Sequence, residues 1–374
     1  MTFCFAPWTN IDISPLGNIS PCCKFISDTY NEKFNISENT VQEYRSSNFL
    51  QLVQQDFSNG KWPVGCTRCR IEEENTIKSK RQLDFLRWQQ HYNNVNLDTT
   101  DFITSSIAFG NTCNLTCIHC GPHSSSRWQQ EYQTIYLKDV KNFHFYKKNF
   151  VQDFVNSAKQ LIHIDISGGE PFLSGVVEQK ALLQHYVDTN LAGNITLHYT
   201  TNVTTWPDQE WWQLWQHFKE IDMQLSIDGV GERYNYIRYP GDWNQIQPNI
   251  QKYLECQKLP NFQLSVSHTV SAYNIYYLDE FFSWCNNIRL PMPWLGRVHW
   301  PAHMRPAIWD RHARKAIVDK LRISQYPAVQ IWAGLIKNTD DSEYLQEFKQ
   351  YLQEHDQYRE LNFKQVFPEM AKYI

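Results

Sequence analysis

Eight of the ten cysteines lie before residue 121, in two groups: Cys4, Cys22, Cys23, Cys66 and Cys69, then Cys113, Cys117 and Cys120. Ten thiols in 374 residues are too few for a disulfide scaffold. The opening Met1-Thr2-Phe3-Cys4 lacks the basic start of a secretory signal, so the expected setting is a reducing cytoplasm, where grouped thiols bind metal. Cys256 and Cys285 stand alone in helix-like apolar patterns and are expected to be small buried hydrophobes.

Residues 1 to about 70 show little periodicity and are broken by Pro7, Pro15, Pro21 and Pro63 and by Gly17, Gly60 and Gly65. Such a segment buries little core by itself, so a metal tie is its natural stabiliser. From Glu72 to about Tyr92 a charged amphipathic stretch with Ile77, Leu83, Phe85, Leu86 and Trp88 reads as one connecting helix.

Beyond residue 100 strand-like runs recur at Ser105–Phe109, Leu161–Ser167, Ile195–Thr201, Ile221–Ile227, Phe262–Val270 and Leu295–Trp300. Helical stretches between them are long enough for crossovers to parallel strands. The expected fold is α/β: a partial (β/α)6 TIM-like barrel with a small cysteine-rich N-terminal domain and a helical C-terminal tail. The expected domains are 1–100, 101–310 and 311–374. Reactive groups belong at the C-terminal strand ends. A hydrophobic share of 42% and a net charge of −4 exclude disorder and a general nucleic-acid surface. No apolar run approaches the roughly 18 residues of a membrane span.

Directly after the first barrel strand comes Cys113-Asn114-Leu115-Thr116-Cys117-Ile118-His119-Cys120, a C-x3-C-x2-C spacing. Three thiolates in eight residues can wrap one corner of a 4Fe-4S cluster and leave its fourth iron open to bind something. The alternative is a zinc knuckle completed by His119 or His123. At the end of the second strand stands Ser167-Gly168-Gly169-Glu170-Pro171. Its glycines permit close backbone approach, and its carboxylate can accept from an ammonium group.

With these two motifs one βα unit apart, the chain resembles the radical S-adenosylmethionine (SAM) superfamily. The resemblance implies that the open iron chelates the amino and carboxylate groups of SAM, and that cluster reduction splits the sulfonium C–S bond to give a 5′-deoxyadenosyl radical. It places Gly168, Gly169 and Glu170 at SAM's amino group and His119 near the adenine, where the family more often has Tyr or Phe. It makes Asn202, Ser226 and Asp228 polar partners of the ribose or carboxylate, Arg238 a charge partner of that carboxylate, and Val270 a contact of the adenine. Each has a plainer reading: Asn202 as a cap, Asp228-Gly229 as a turn, Arg238 as a surface ion pair.

Cys4, twelve residues, Gly17, four residues and Cys22, with Cys66-Thr67-Arg68-Cys69 much later, resembles the first half of the SPASM and twitch extensions of radical SAM enzymes. Here the pattern precedes the barrel. The resemblance implies a second 4Fe-4S cluster fully ligated by Cys4, Cys22, Cys66 and Cys69, with Cys23 left idle; zinc is the alternative. The implied partners are an electron donor such as flavodoxin or ferredoxin and a substrate, expected to be a peptide or protein. The alternatives are a small molecule such as a sugar or nucleoside, or a non-catalytic zinc or iron-sulfur interaction module. No second catalytic side chain announces itself; His299 and Trp300, at the sixth strand end, read as core or rim.

Overall fold

Strict alternation along the chain builds strands with one buried face and one half-buried face, as in Thr196–Thr201, Glu220–Ser226 and Phe262–Val270. The computed structural model describes residues 2–76, 78–93, 95–97, 101–138 and 149–374. Ile77, expected on the connecting helix, and Met1 lie outside the described residues. The chain divides into two units, Met1–Thr112 with Asn142–Tyr199 and Pro207–Ile221, and Cys113–Lys141 with Thr200–Trp206 and Asp222–Ile374.

The first unit holds β1 (Asn10–Ile13), β2 (Asn18–Ser20), β3 (Phe34–Asn35), β4 (Thr104–Ala108), β5 (His163–Ser167) and most of β6 (Thr196–Thr201). They lie in the order β3-β2-β1-β4-β5-β6. β1 is parallel to β4, with Asp12 opposite Ser106, and β4 to β5 and β5 to β6 are parallel as well. The strands of the amino-terminal region were not legible as periodicity. β1 to β3 have only two to four residues each, and β1 is stabilised by a ladder to β4, whose residues lie some ninety positions away in sequence.

The register aligns Ser20, Asp12, Ser106, Asp165 and His198 in one polar row, while Ile11, Ile13, Ile107, Ile164, Ile166 and Leu197 fill the other, buried face. Burial pushes the Asp12 carboxyl up to about 7, and the neighbouring Asp165 charge adds to the effect. An aromatic cluster of Phe172, Tyr199, Trp211 and Trp215, with ring centroids 5.4–6.2 Å apart, uses part of the chain's abundant aromatic residues as core.

The stretch expected as one connecting helix is two, Thr67–Glu74 and α1 (Lys80–Tyr92). The break carries Thr76 at φ 59°, and Ser79 with Gln82 forms a capping box that starts α1 afresh. Trp88 of α1 packs against His163 at 5.2 Å between ring centroids.

The second unit holds most of β7 (Glu220–Ser226), with β8 (Phe262–Val270) and β9 (Trp294–Arg297), neighbours in that order; β8 and β9 are parallel. β9 stops at Arg297, short of the expected Trp300, which is 74% exposed and precedes Pro301, a residue with no N–H for a ladder. From β4 to β9, helices separate the successive strands, so the fold is α/β of the partial (β/α)6 barrel kind. The C-terminal region is helical, as expected: Arg311–Arg322, Pro327–Asn338 and Leu345–Arg359. Phe348, Phe363 and Phe367 of that region pack on Tyr273, at 5.0, 5.8 and 5.9 Å. Cys285 is fully buried, in line with a packing role, whereas Cys256, also expected to be buried, is half-buried. Among the described residues, no helix is long and apolar enough to cross a membrane.

Candidate functional site

In the second unit the three-cysteine loop is pinned through its backbone. Thr116 N–H donates to Tyr239 O at 2.6 Å and Ile118 N–H to Ile237 O at 2.9 Å, so both neighbours of Cys117 are fixed. Cys113 N–H donates to Ser126 Oγ at 3.3 Å, and Cys120 N–H to Cys117 O at 2.9 Å. The thiols lie in one another's fields. Burial pushes Cys120 up to about 11, with Cys113 adding to it; Cys117 is raised further still by burial, Cys120 and Cys113, against the pull of Arg238. Buried thiols whose thiolate forms would repel one another ionise readily only against a metal, and three soft donors beside a guanidinium suit an anionic iron-sulfur cluster. The donor set therefore fits the cofactor that the sequence implies. Among the described residues, no group of three or more Cys, His, Asp or Glu is already converged as a single-ion site.

Asp228, His119 and Arg238 meet directly beside this loop. Asp228 Oδ2 lies 2.6 Å from Arg238 Nη2 and 3.2 Å from His119 Nε2, and its Oδ1 accepts from Thr269 N–H at 2.6 Å. Asp228 is fully buried and Arg238 is 6% exposed. Burial alone would raise the Asp228 carboxyl, but Arg238 and then His119 outweigh it and hold the group far below the usual carboxylate range. Two polar atoms are left over: His119 Nδ1 and Arg238 Nε are buried without hydrogen-bond partners among the described residues. The sequence named all three residues without indicating that they pair.

Asn202 bears on the loop from another side. Its Nδ2 donates to Asn114 Oδ1 at 3.0 Å and lies 3.7 Å from Cys113 Sγ. Ser226 is half-buried at the last position of β7. Val270 is fully buried at the end of β8, where its carbonyl accepts from Val298 N–H at 3.1 Å. Asn274, just beyond, donates to the Asp228 and Thr269 carbonyls at 3.1 and 2.8 Å. The turn that carries Asp228 is thus held from both sides.

The Gly-Gly-Glu segment belongs to the first unit. Gly168 and Gly169 adopt φ of 82° and 55°. A Cβ on Gly169 would sit 2.2 Å from Thr112 O, and one on Gly168 would sit 2.3 Å from Ala108 Cβ. Glu170 N–H donates to Thr112 O at 2.9 Å, and its side chain is fully buried. Close approach to the end of β4, at Gly168, and to the segment that follows it, at Gly169, thus requires both glycines.

The amino-terminal thiols are also coupled within the first unit. Burial pushes Cys4 up to about 12, with Cys69 adding to it; Cys22 is raised by burial, Cys23 and Cys4, and Cys66 by burial, Cys4 and Cys69. Arg81 lowers Cys4 and Cys66, and Lys80 lowers Cys22. Four thiols with two nearby cations fit a fully ligated anionic cluster. Cys23 is the exposed one of the group. Phe3, Cys4, Phe5, Arg81, Asp84 and Tyr92 line a small pocket there.

No family model matches the chain, and no curated protein matches it. Among solved structures, anSMEcpe with bound AdoMet is similar at 17% identity and a TM-score of 0.42, over 52% of this chain and 52% of that one. The same protein with AdoMet and the Kp18Cys peptide gives 17% and 0.41, over 59% and 58%. SuiB of Streptococcus suis, bound to S-adenosylmethionine, gives 12% and 0.38, over 76% of this chain and 61% of its own. The chain thus spans about half the length of the first of these structures.

Proposed function

We propose that this chain is a radical SAM enzyme with one auxiliary cluster. The observation that carries the reading is the loop itself: three mutually coupled thiols, at a spacing that leaves one iron of a cubane open, fixed by backbone hydrogen bonds on both sides of Cys117. When bound, the reduced 4Fe-4S cluster supplies the electron that cleaves SAM to a 5′-deoxyadenosyl radical.

The remaining roles belong to the chain. Cys113, Cys117 and Cys120 hold three irons. Asp228 fixes His119 and Arg238 at the loop, and of the two nitrogens without partners, Arg238 Nε–H would donate to the polar edges of SAM and His119 Nδ1 would donate or accept according to its tautomer. Asn202 steadies Cys113 and Asn114. By the same resemblance Gly168, Gly169 and Glu170 would take SAM's amino group, while Ser226 and Val270 stand at the ends of β7 and β8. Cys4, Cys22, Cys66 and Cys69 would hold the auxiliary cluster with a thiolate for each iron, which would suit electron transfer from a flavodoxin or ferredoxin or a supporting role. The substrate we favour is a peptide or protein, because cysteine-rich extensions of this kind often accompany peptide modification in the family; a small molecule is the alternative, since such extensions occur with small-molecule substrates as well.

Anaerobic reconstitution followed by SAM and a strong reductant tests the reading. The expected result is 5′-deoxyadenosine formed by protein carrying about eight iron and eight sulfide per chain. Zinc in both sites with no chromophore, or loaded clusters with no SAM cleavage, contradicts it.

A further inference from the structure

The helical C-terminal region supplies two side chains to the cysteine loop that the sequence motifs do not include. Let α2 denote Trp128–Tyr136 and α3 denote Leu345–Arg359. Tyr351, His355 and Arg359 recur every four residues on one face of α3. Arg359 Nη2 donates to Thr116 O at 2.7 Å, and Tyr351 Oη donates to Ile118 O at 3.3 Å. Thr116 and Ile118 flank Cys117. Their N–H groups are already held by Tyr239 O and Ile237 O, so both faces of the backbone around Cys117 are tied.

A buried network sets the guanidinium. Arg359 Nε donates to Glu131 Oε1 on α2 at 2.8 Å, and His355 Nδ1 lies 2.5 Å from the same oxygen. With Nδ1–H given to the carboxylate, His355 Nε2 accepts from the Tyr136 hydroxyl at 3.0 Å. Glu131, His355 and Arg359 are 2%, 3% and 4% exposed. The guanidinium lies over the rings of both Trp128 and Tyr239, with centroids 5.1 and 5.0 Å away. Only a planar fork can span Glu131 and Thr116 O together; an ammonium is a point donor.

We propose that Arg359 and Tyr351 are positioning residues for the cluster on Cys113, Cys117 and Cys120, and that α3 clamps the loop around Cys117. The proposal rests on the assignment of that loop as the open-iron site. Outer-shell partners of metal ligands tune affinity by about 10–100-fold, and a clamp on the ligand backbone acts in the same way.

The test uses the full reconstituted chain: wild type, Arg359→Met, Arg359→Lys and Tyr351→Phe. Two quantities are read anaerobically: the rate of iron loss to a ferrous chelator, and the EPR signal of the reduced cluster that responds to added SAM. Arg359→Met is expected to lose that signal about tenfold faster, with altered line shape. Arg359→Lys is expected to fall between it and wild type, and Tyr351→Phe to show a smaller acceleration in the same direction. A purely structural role would lower the melting temperature and leave the signal and release rate of the folded protein unchanged. If Arg359→Met does not fold, Tyr351→Phe decides alone. Folded variants with wild-type release and spectrum overturn the clamp. A wild type that binds no SAM-responsive cluster overturns the loop assignment instead, and is recognised before any variant is compared.

Discussion

Cys117→Ala is expected to abolish 5′-deoxyadenosine formation and to halve the reconstituted iron, from about eight to about four per chain. Cys117 is 9% exposed and is the loop thiol whose two neighbours are both fixed through backbone N–H and C=O groups. No rearrangement of a loop held so closely can bring a substitute donor to its iron. Cys113→Ala and Cys120→Ala are expected to do the same. Cys69→Ala is the internal control: iron falls by a similar amount, yet SAM cleavage persists while product formation fails. Iron assay and chromatography of the nucleoside read both. Retention of full SAM cleavage in Cys117→Ala would contradict the assignment.

Asp228→Ala is expected to destabilise the protein by about 3–5 kcal/mol, because it leaves the Arg238 guanidinium buried without its counter-charge. Arg238 is 6% exposed, and Asp228 is its partner at 2.6 Å. The pH dependence has a definite sign. The folded carboxyl titrates below its unfolded value of about 3.9, so its stabilisation is present above that pH and is lost as pH falls further. Denaturant midpoints at pH 7 and at pH 3 should therefore differ more for wild type than for Asp228→Ala. The double variant Asp228→Leu with Arg238→Met should regain much of the stability, since replacing both charges removes the uncompensated one. If it regains stability without SAM cleavage, the pair has a binding role as well as a structural one. An unchanged midpoint in Asp228→Ala would refute the account of the pair.

The barrel strands were legible because their periodicity is local. The runs read at Ile195–Thr201, Ile221–Ile227 and Phe262–Val270 match the observed strands to within a residue. β1 was not legible: four residues hold no periodicity, and its stability comes from the distant β4. The break before α1 could have been found, since Ser79 and Gln82 stand at capping-box spacing. The cysteine groups were visible through spacing. The pairing of Asp228 with His119 and Arg238 was not, because residues 109 and 10 positions apart meet only once β7 and the loop are folded. Tyr351 and Arg359 carry a helical spacing, but their partners are backbone carbonyls, which leave no mark in the sequence.

The open iron is best tested by the EPR spectrum of the reduced, reconstituted protein with and without SAM. If the fourth iron has no protein ligand, chelation by SAM's amino and carboxylate groups changes that iron's ligand field, so the g-values shift, and Cys117→Ala removes the responsive signal while the auxiliary signal stays. A spectrum that SAM leaves unchanged in fully loaded wild-type protein would mean that the loop's metal is closed, and would contradict the assignment.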